Sequence, residues 1–156
     1  MGRIVSASGS GQWSPYAKRL RNYATFRYAQ EFHFTARKVG SCIVQAYLLG
    51  HAIELYLKSY LLHEGFTVTL LKSKKYGHNL TVLLAEAQSR GLEQMIRISP
   101  ELVEDLRKLN AVYPESLRYF SLLHLLTRPK MPSLARLFRF AASMDKRLEK
   151  HVAVQP

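Results

Sequence analysis

Apolar residues recur along the chain at helical spacing, and no pair of stretches alternates convincingly at the two-residue period of half-buried strands. Ser14-Pro15 couples an N-cap to a proline at the first helical position. It predicts a long helix to about Arg37, with Tyr16, Leu20, Tyr23 and Phe26 spaced to share a face. The clearest helix runs from about Gly40 to His63, free of proline, with Gly65 where a C-terminal cap belongs. Ile43, Tyr47, Gly50, Leu57 and Leu61 form one apolar stripe along it, and Val44, Leu48, Leu55 and Leu62 form a second beside the first. Two stripes imply packing on more than one neighbour, which puts this helix at the centre of a bundle.

Phe66 to Leu71 is β-branched and apolar, but it has no partner strand and reads as a connector into the basic loop Lys72-Ser73-Lys74-Lys75. Three more helices follow. One spans about Asn79 to Arg90 and is ended by Gly91. The next spans Glu101 to Tyr113, opened by Ser99-Pro100 and stopped by Pro114. The last runs from Leu134 to about His151, capped by Ser133. The expected fold is all-α, an up-down bundle of about five helices with a long central second helix. Residues 1–13, rich in Gly and Ser, are expected to be a flexible lead to a single helical domain over 14–152.

Composition adds a charge to this picture. The chain carries 23 Lys and Arg against 11 Asp and Glu, a net charge of +12. Such an excess favours an anionic partner, whether RNA, nucleotide, an anionic membrane face or an acidic protein. A single cysteine, Cys42, excludes an intrachain disulfide and suits a reducing compartment; its apolar setting predicts a buried, inert thiol. The first dozen residues lack the apolar core of a secretory leader, and the longest uncharged stretch, Val39 to Ile53, is shorter than the about 20 apolar residues of a bilayer span. A soluble, cytoplasmic protein without a membrane span is expected. Histidine and cysteine spacing offers no metal site, and no phosphate loop of the Walker type is present, so no cofactor is expected.

Three segments carry chemistry. In the second helix Glu54 falls on the stripe of Tyr47, Gly50, Leu57 and Leu61, which would turn its carboxylate into the core. A buried carboxylate requires a partner, because unpaired burial costs several kcal/mol, about 3–5 kcal/mol when one member of a pair is removed. His78 and Arg118, with Tyr119 beside it, are the candidates for a polar cluster with Glu54. Two plainer readings compete: an exposed Glu54–Lys58 pair one turn apart, worth about 0.3–0.5 kcal/mol, and His78 as a local helix cap. The third segment contains Arg118 and His124, five residues apart from one another if the intervening ones are counted. An arginine can stabilise phosphorane charge and a histidine can transfer protons, as metal-independent RNA cleavage needs. Arg27 and His33 meet the same spacing, as expected by chance in so basic a chain.

The run Ala52-Ile53-Glu54-Leu55-Tyr56-Leu57-Lys58, then Gly77-His78-Asn79-Leu80, then Leu109-Asn110-Ala111-Val112-Tyr113 followed by Arg118-Tyr119, resembles the HEPN family of small helical domains in order and spacing. The resemblance covers roughly Ala17 to Leu148. It implies a helical bundle that pairs through helix faces, hence a homodimer. Many HEPN proteins are ribonucleases of the toxin or defence type, which place a polar residue after the arginine. Here Tyr119 stands there, which is similar to HEPN domains that bind or dock without cutting. The function expected is therefore a non-catalytic binding module for RNA, nucleotide or another anionic partner. A metal-independent ribonuclease using Arg118 and His124, and a docking subunit for a nucleotidyltransferase-type partner, are the alternatives. The expected anion-binding residues are Lys72, Lys74 and Lys75 of the loop and Arg136, Arg139 and Arg147 of the last helix. The aromatics near the first helix, Trp13, Tyr16, Tyr23, Phe26 and Tyr28, are expected in the main to be core.

Overall fold

The computed structural model describes residues 13–113 and 131–153. Among them the chain forms six α-helices and no strand: α1 Pro15–Lys38, α2 Cys42–His63, α3 Val68–Leu71, α4 Leu80–Ser89, α5 Pro100–Val112 and α6 Leu134–Val152, with a 3-10 turn at Leu92–Gln94. Arg118, Tyr119 and His124 lie outside the described residues. None of the described helices is long and apolar enough to cross a membrane.

The helix limits follow from side-chain caps. The hydroxyls of Ser14, Ser41, Ser99 and Ser133 and the amide oxygen of Asn79 each accept a hydrogen bond from a backbone N–H in the first turn of the helix they precede. Gly65 and Gly91, just past the ends of α2 and α4, take φ of 93° and 91°, where a side chain would be strained. Thr67 caps a helical turn in the segment expected to be a plain connector: its hydroxyl accepts from Leu70 N–H, and the turn buries Leu71.

α2 is the centre of the bundle, packed against α1, α4, α5 and α6. Its buried residues run from Ala46 to Leu62 and cover most of its circumference, but of the second stripe only Leu62 is buried, Leu48 and Leu55 are half-buried, and Leu49, Ala52, Ile53, Tyr56 and Tyr60 complete the inner face. The stripes do not reach the start of the helix. Ile43 and Val44 are exposed, and so is Cys42, correcting the expectation of a buried thiol. The face predicted for α1 is also shifted. Tyr16 and Leu20 are exposed, as are Trp13 and Tyr28, while the buried side is Asn22, Phe26, Ala29, Gln30, His33 and Ala36. Small and polar residues fill this side because α1 lies close to α2 and α6, where Ser59 Oγ donates to Asn22 O and Gln30 Nε2 donates to Asp145 Oδ1. Bulk apolarity therefore misidentified the inner face.

His33 and Arg27, the chance pair, do not meet as a site: Arg27 donates to Gln30, and His33 is buried with Nδ1 3.4 Å from Tyr56 Oη. Burial first, and then the Arg37 charge, hold the His33 pKa below its ordinary value.

α4 is fixed to α5 by a cap from far along the chain. Asn110 Oδ1 accepts at 2.7 Å from the N–H of Leu80, the first residue of α4. The physics is that of a local N-cap, but the acceptor comes from 30 residues away. Asn110→Leu is expected to leave that N–H unpaired and to destabilise the protein by about 1–2 kcal/mol, read as a lower denaturant midpoint with an unchanged slope.

Candidate polar cluster and basic cleft

Glu54 is 2% exposed, in the middle of α2. Each of its oxygens has a charged or strongly donating partner. Lys58 Nζ, one turn on, donates to Oε1 at 2.6 Å. His78 Nδ1 lies 3.0 Å from Oε2, and Tyr113 Oη donates to Oε2 at 2.7 Å. Since the carboxylate only accepts, His78 Nδ1 carries a proton, and Nε2 faces away from Glu54. Behind Tyr113 stands His51, whose Nδ1 is 2.9 Å from the same hydroxyl.

The structure thus brings Glu54 and His78 together, and the local Lys58 pair is part of the same cluster, not an exposed alternative to it. Lys58 is itself only 15% exposed. Asn79, and not His78, supplies the cap of α4. Tyr113 and His51 are members that reading the sequence for titratable partners passed over. One signal could have found Tyr113: Gly50 sits a turn before Glu54 on the inner stripe, where a helix of otherwise large residues is left with no side chain. A Cβ there would lie 2.8 Å from Tyr113 Cδ2. The glycine lets the ring lie against the α2 backbone and reach Glu54 with its hydroxyl.

Burial alone would push the Glu54 carboxyl upward. The Lys58 charge and the hydrogen bonds from Lys58, His78 and Tyr113 outweigh it and hold the carboxyl below its ordinary range. The cluster is a structural pin first, because the Glu54 carboxylate is buried and both of its oxygens are held by partners from within the fold.

On its outer side the cluster opens to solvent through His78, whose side chain is 44% exposed. Here the loop from Lys72 to Asn79 and the end of α5 enclose a cleft of about 370 Å³ lined by Lys72, Ser73, Lys74, His78, Asn79 and Asn110 among others. Among the described residues no carboxylate lines it. Lys72 and Lys74 are exposed and make no ion pair among the described residues, whereas Lys75 turns its ammonium over the Tyr76 ring, 4.8 Å from its centre. The three lysines that look equivalent in sequence are therefore of two kinds.

The arginines of α6 also divide. Arg136 is tied to the buried carboxylate of Asp105 and to Glu101 O, so its charge is answered within the fold. Arg139 and Arg147 are exposed, and Arg139 faces a smaller hollow of about 160 Å³ with Arg97 and Ser99. Among the described residues no group of three or more His, Cys, Asp or Glu side chains could hold a metal ion.

Comparison of the chain with family models, with curated proteins and with solved structures gives no match.

Three substitutions probe the pin. Gly50→Ala is expected to displace the Tyr113 ring and destabilise the protein by about 1–3 kcal/mol, as overpacking does, with Tyr113→Phe in the same background costing less than it does alone. Glu54 has a folded pKa lower than its unfolded one, so its contribution is present at neutral pH and is lost as pH falls below about 4.5 towards the folded value. Glu54→Gln is expected to cost about 3 kcal/mol at pH 7, and the gap between variant and parent should narrow in urea titrations as the pH is lowered through that range.

Proposed function

We propose that this protein is a non-catalytic binding module for anionic partners, RNA before others, of the HEPN type that the sequence resembles. The observation that carries the reading is the disposition of charge. Two of the carboxylates, Glu54 and Asp105, are turned inward and consumed by internal partners, while Lys72 and Lys74 are exposed and, among the described residues, are unpaired and face a cleft lined by no carboxylate. Burying an acid against an internal base leaves the surface as basic as the net charge allows.

RNA is favoured over an acidic protein by a second feature. Trp13 and Tyr16 are each 58% exposed, at the start of a helix that also exposes Lys18 and Arg19. Exposed rings among cations suit unpaired bases, which stack on aromatic faces while their phosphates are neutralised. The burial of Glu54 behind Lys58, His78 and Tyr113 supports binding over catalysis at that residue, since a general base must be within reach of substrate.

The test is retention of a labelled single-stranded RNA in EDTA across about 50–200 mM salt, scored for both binding and length. Intact RNA should be retained with a steep salt dependence. Arg139→Ala with Arg147→Ala should reduce the slope of log affinity against log salt by about 1.4, at about 0.7 per lost phosphate contact, and Lys72→Ala with Lys74→Ala, whose lysines share one cleft, by about 0.7–1.4. Retention no better than that of an unrelated protein of equal charge would sink the proposal in favour of a docking role. Shortening of the RNA that disappears in Arg118→Ala and His124→Ala would replace it with a ribonuclease.

A further inference from the structure

We propose that the cleft between the 72–79 loop and α5 is a discrete site for one phosphate monoester group, the terminal phosphate of an RNA chain or of a mononucleotide. The inference deepens the binding reading above and rests on it only where the phosphate belongs to RNA.

The argument is an inventory of what the cleft walls have to offer. Asn79 Oδ1 is occupied by Val82 N–H and Thr81 Oγ1, and Asn110 Oδ1 by Leu80 N–H. Each bond fixes the amide with its oxygen towards the α4 backbone, which leaves the NH2 group as the remaining polar end, and neither makes a hydrogen bond among the described residues. His78 has Nδ1 held by Glu54, so its outer nitrogen is the one presented. Lys72 and Lys74 bring two ammonium groups. The Ser73 hydroxyl oxygen is buried and has no hydrogen-bond partner among the described residues, a costly arrangement that turning the side chain about its Cα–Cβ bond towards an anion in the cleft would relieve. With both amide oxygens committed and no carboxylate among the described residues of the lining, that part of the wall is dominated by donors and positive charge.

A donor-rich, dicationic pocket is matched by a compact anion with several free oxygens. A phosphate monoester has three terminal oxygens and close to two charges near neutral pH, against two oxygens and one charge for a phosphodiester within a chain. The size agrees, since about 370 Å³ lies at the small end of ligand sites and admits a group rather than a run of chain. The site is also the positive end of α4, a helix of 10 residues, which adds its dipole to the lysine charges. Its rear wall is rigid because Glu54 fixes His78 and Asn110 joins α5 to α4. Preorganised donors of this kind lose little freedom on binding.

The experiment is calorimetric titration of the full chain with inorganic phosphate, AMP and adenosine, together with two short RNA oligonucleotides identical except for a 5′-phosphate or a 5′-hydroxyl. Phosphate and AMP should bind and adenosine should not, and the 5′-phosphorylated RNA should bind about tenfold more tightly than its twin. Binding by AMP but not by phosphorylated RNA would assign the site to a mononucleotide; the converse would assign it to chain ends. Ser73→Ala and Lys74→Ala should each weaken phosphate and AMP binding about tenfold. Ser73→Ala should leave the unfolding midpoint unchanged or raise it, because that hydroxyl makes no hydrogen bond among the described residues. Equal binding of both RNA twins, with no heat from phosphate or AMP, would overturn the site and leave the RNA proposal standing. Phosphate binding that survives both substitutions would place the anion elsewhere and overturn it too. Phosphate and AMP binding lost in Ser73→Ala, without any RNA retention, would uphold the site and remove the RNA proposal alone.

Discussion

A carboxylate taken out of water must be given back its hydrogen bonds and a counter-charge, and the way this happens at Glu54 organises the rest of the molecule. Its partners come from three places: Lys58 on its own helix, His78 from the loop before α4, and Tyr113 from the end of α5. The requirement acts on sequence as well as on shape. Gly50 must stay small so that the Tyr113 ring can lie against α2, and Asn110, one turn before Tyr113, then falls where it can cap α4. One buried charge thereby couples the register of α2 to that of α5 and to the entry of α4. Apolar packing alone specifies such a register weakly, because Leu can be exchanged against Leu at several rotations, whereas a buried charge has few satisfactory arrangements.

The same interaction decides how charge is distributed over the surface. Glu54 and Asp105 each sequester an acid within the fold, one against Lys58 and His78, the other against Arg136 and the Ser133 N–H. What remains outside is dominated by cations. The position of Glu54 behind His78 also joins the interior to the surface: the bond that stabilises the fold orients the ring that forms one wall of the basic cleft. A single contact in this way serves the fold and sets the shape of the cleft, so a substitution at Glu54 disturbs both, whereas one at Ser73 or Lys74 alters the cleft alone.

The three segments on which the HEPN resemblance rests are far apart in the chain and adjacent in space. His78 to Glu54, Tyr113 to Glu54 and Leu80 to Asn110 are hydrogen bonds between them. The link between the three segments is physical as far as Tyr113. Arg118 and Tyr119, the end of the third segment, lie outside the described residues, as does His124.

What could be read from the sequence is what depends on neighbours in the chain. Helix limits were legible because capping hydroxyls and αL glycines act within one turn, as at Ser14, Asn79, Ser99, Ser133, Gly65 and Gly91. The centrality of α2 was legible because two apolar stripes on one helix demand two neighbours. Glu54 was legible as an inward acid because periodicity sets which way a side chain points. The rest depended on distance in space. Tyr16 and Leu20 have the right spacing for a core face and are exposed, since only the docking of α1 on α2 and α6 chooses which of its sides is inner. Cys42 sits in an apolar run whose first turn happens to extend past its neighbours. Lys72, Lys74 and Lys75 cannot be told apart by composition, and an aromatic ring at the next position removes one of them from the cleft. The amino-acid sequence by itself determined the helices, their caps and the inward turn of one acid, all effects that decay within a few residues. Which groups answer that acid, and which cations stay free, was decided by tertiary packing, because those are contacts between segments whose separation along the chain carries no information about their separation in space.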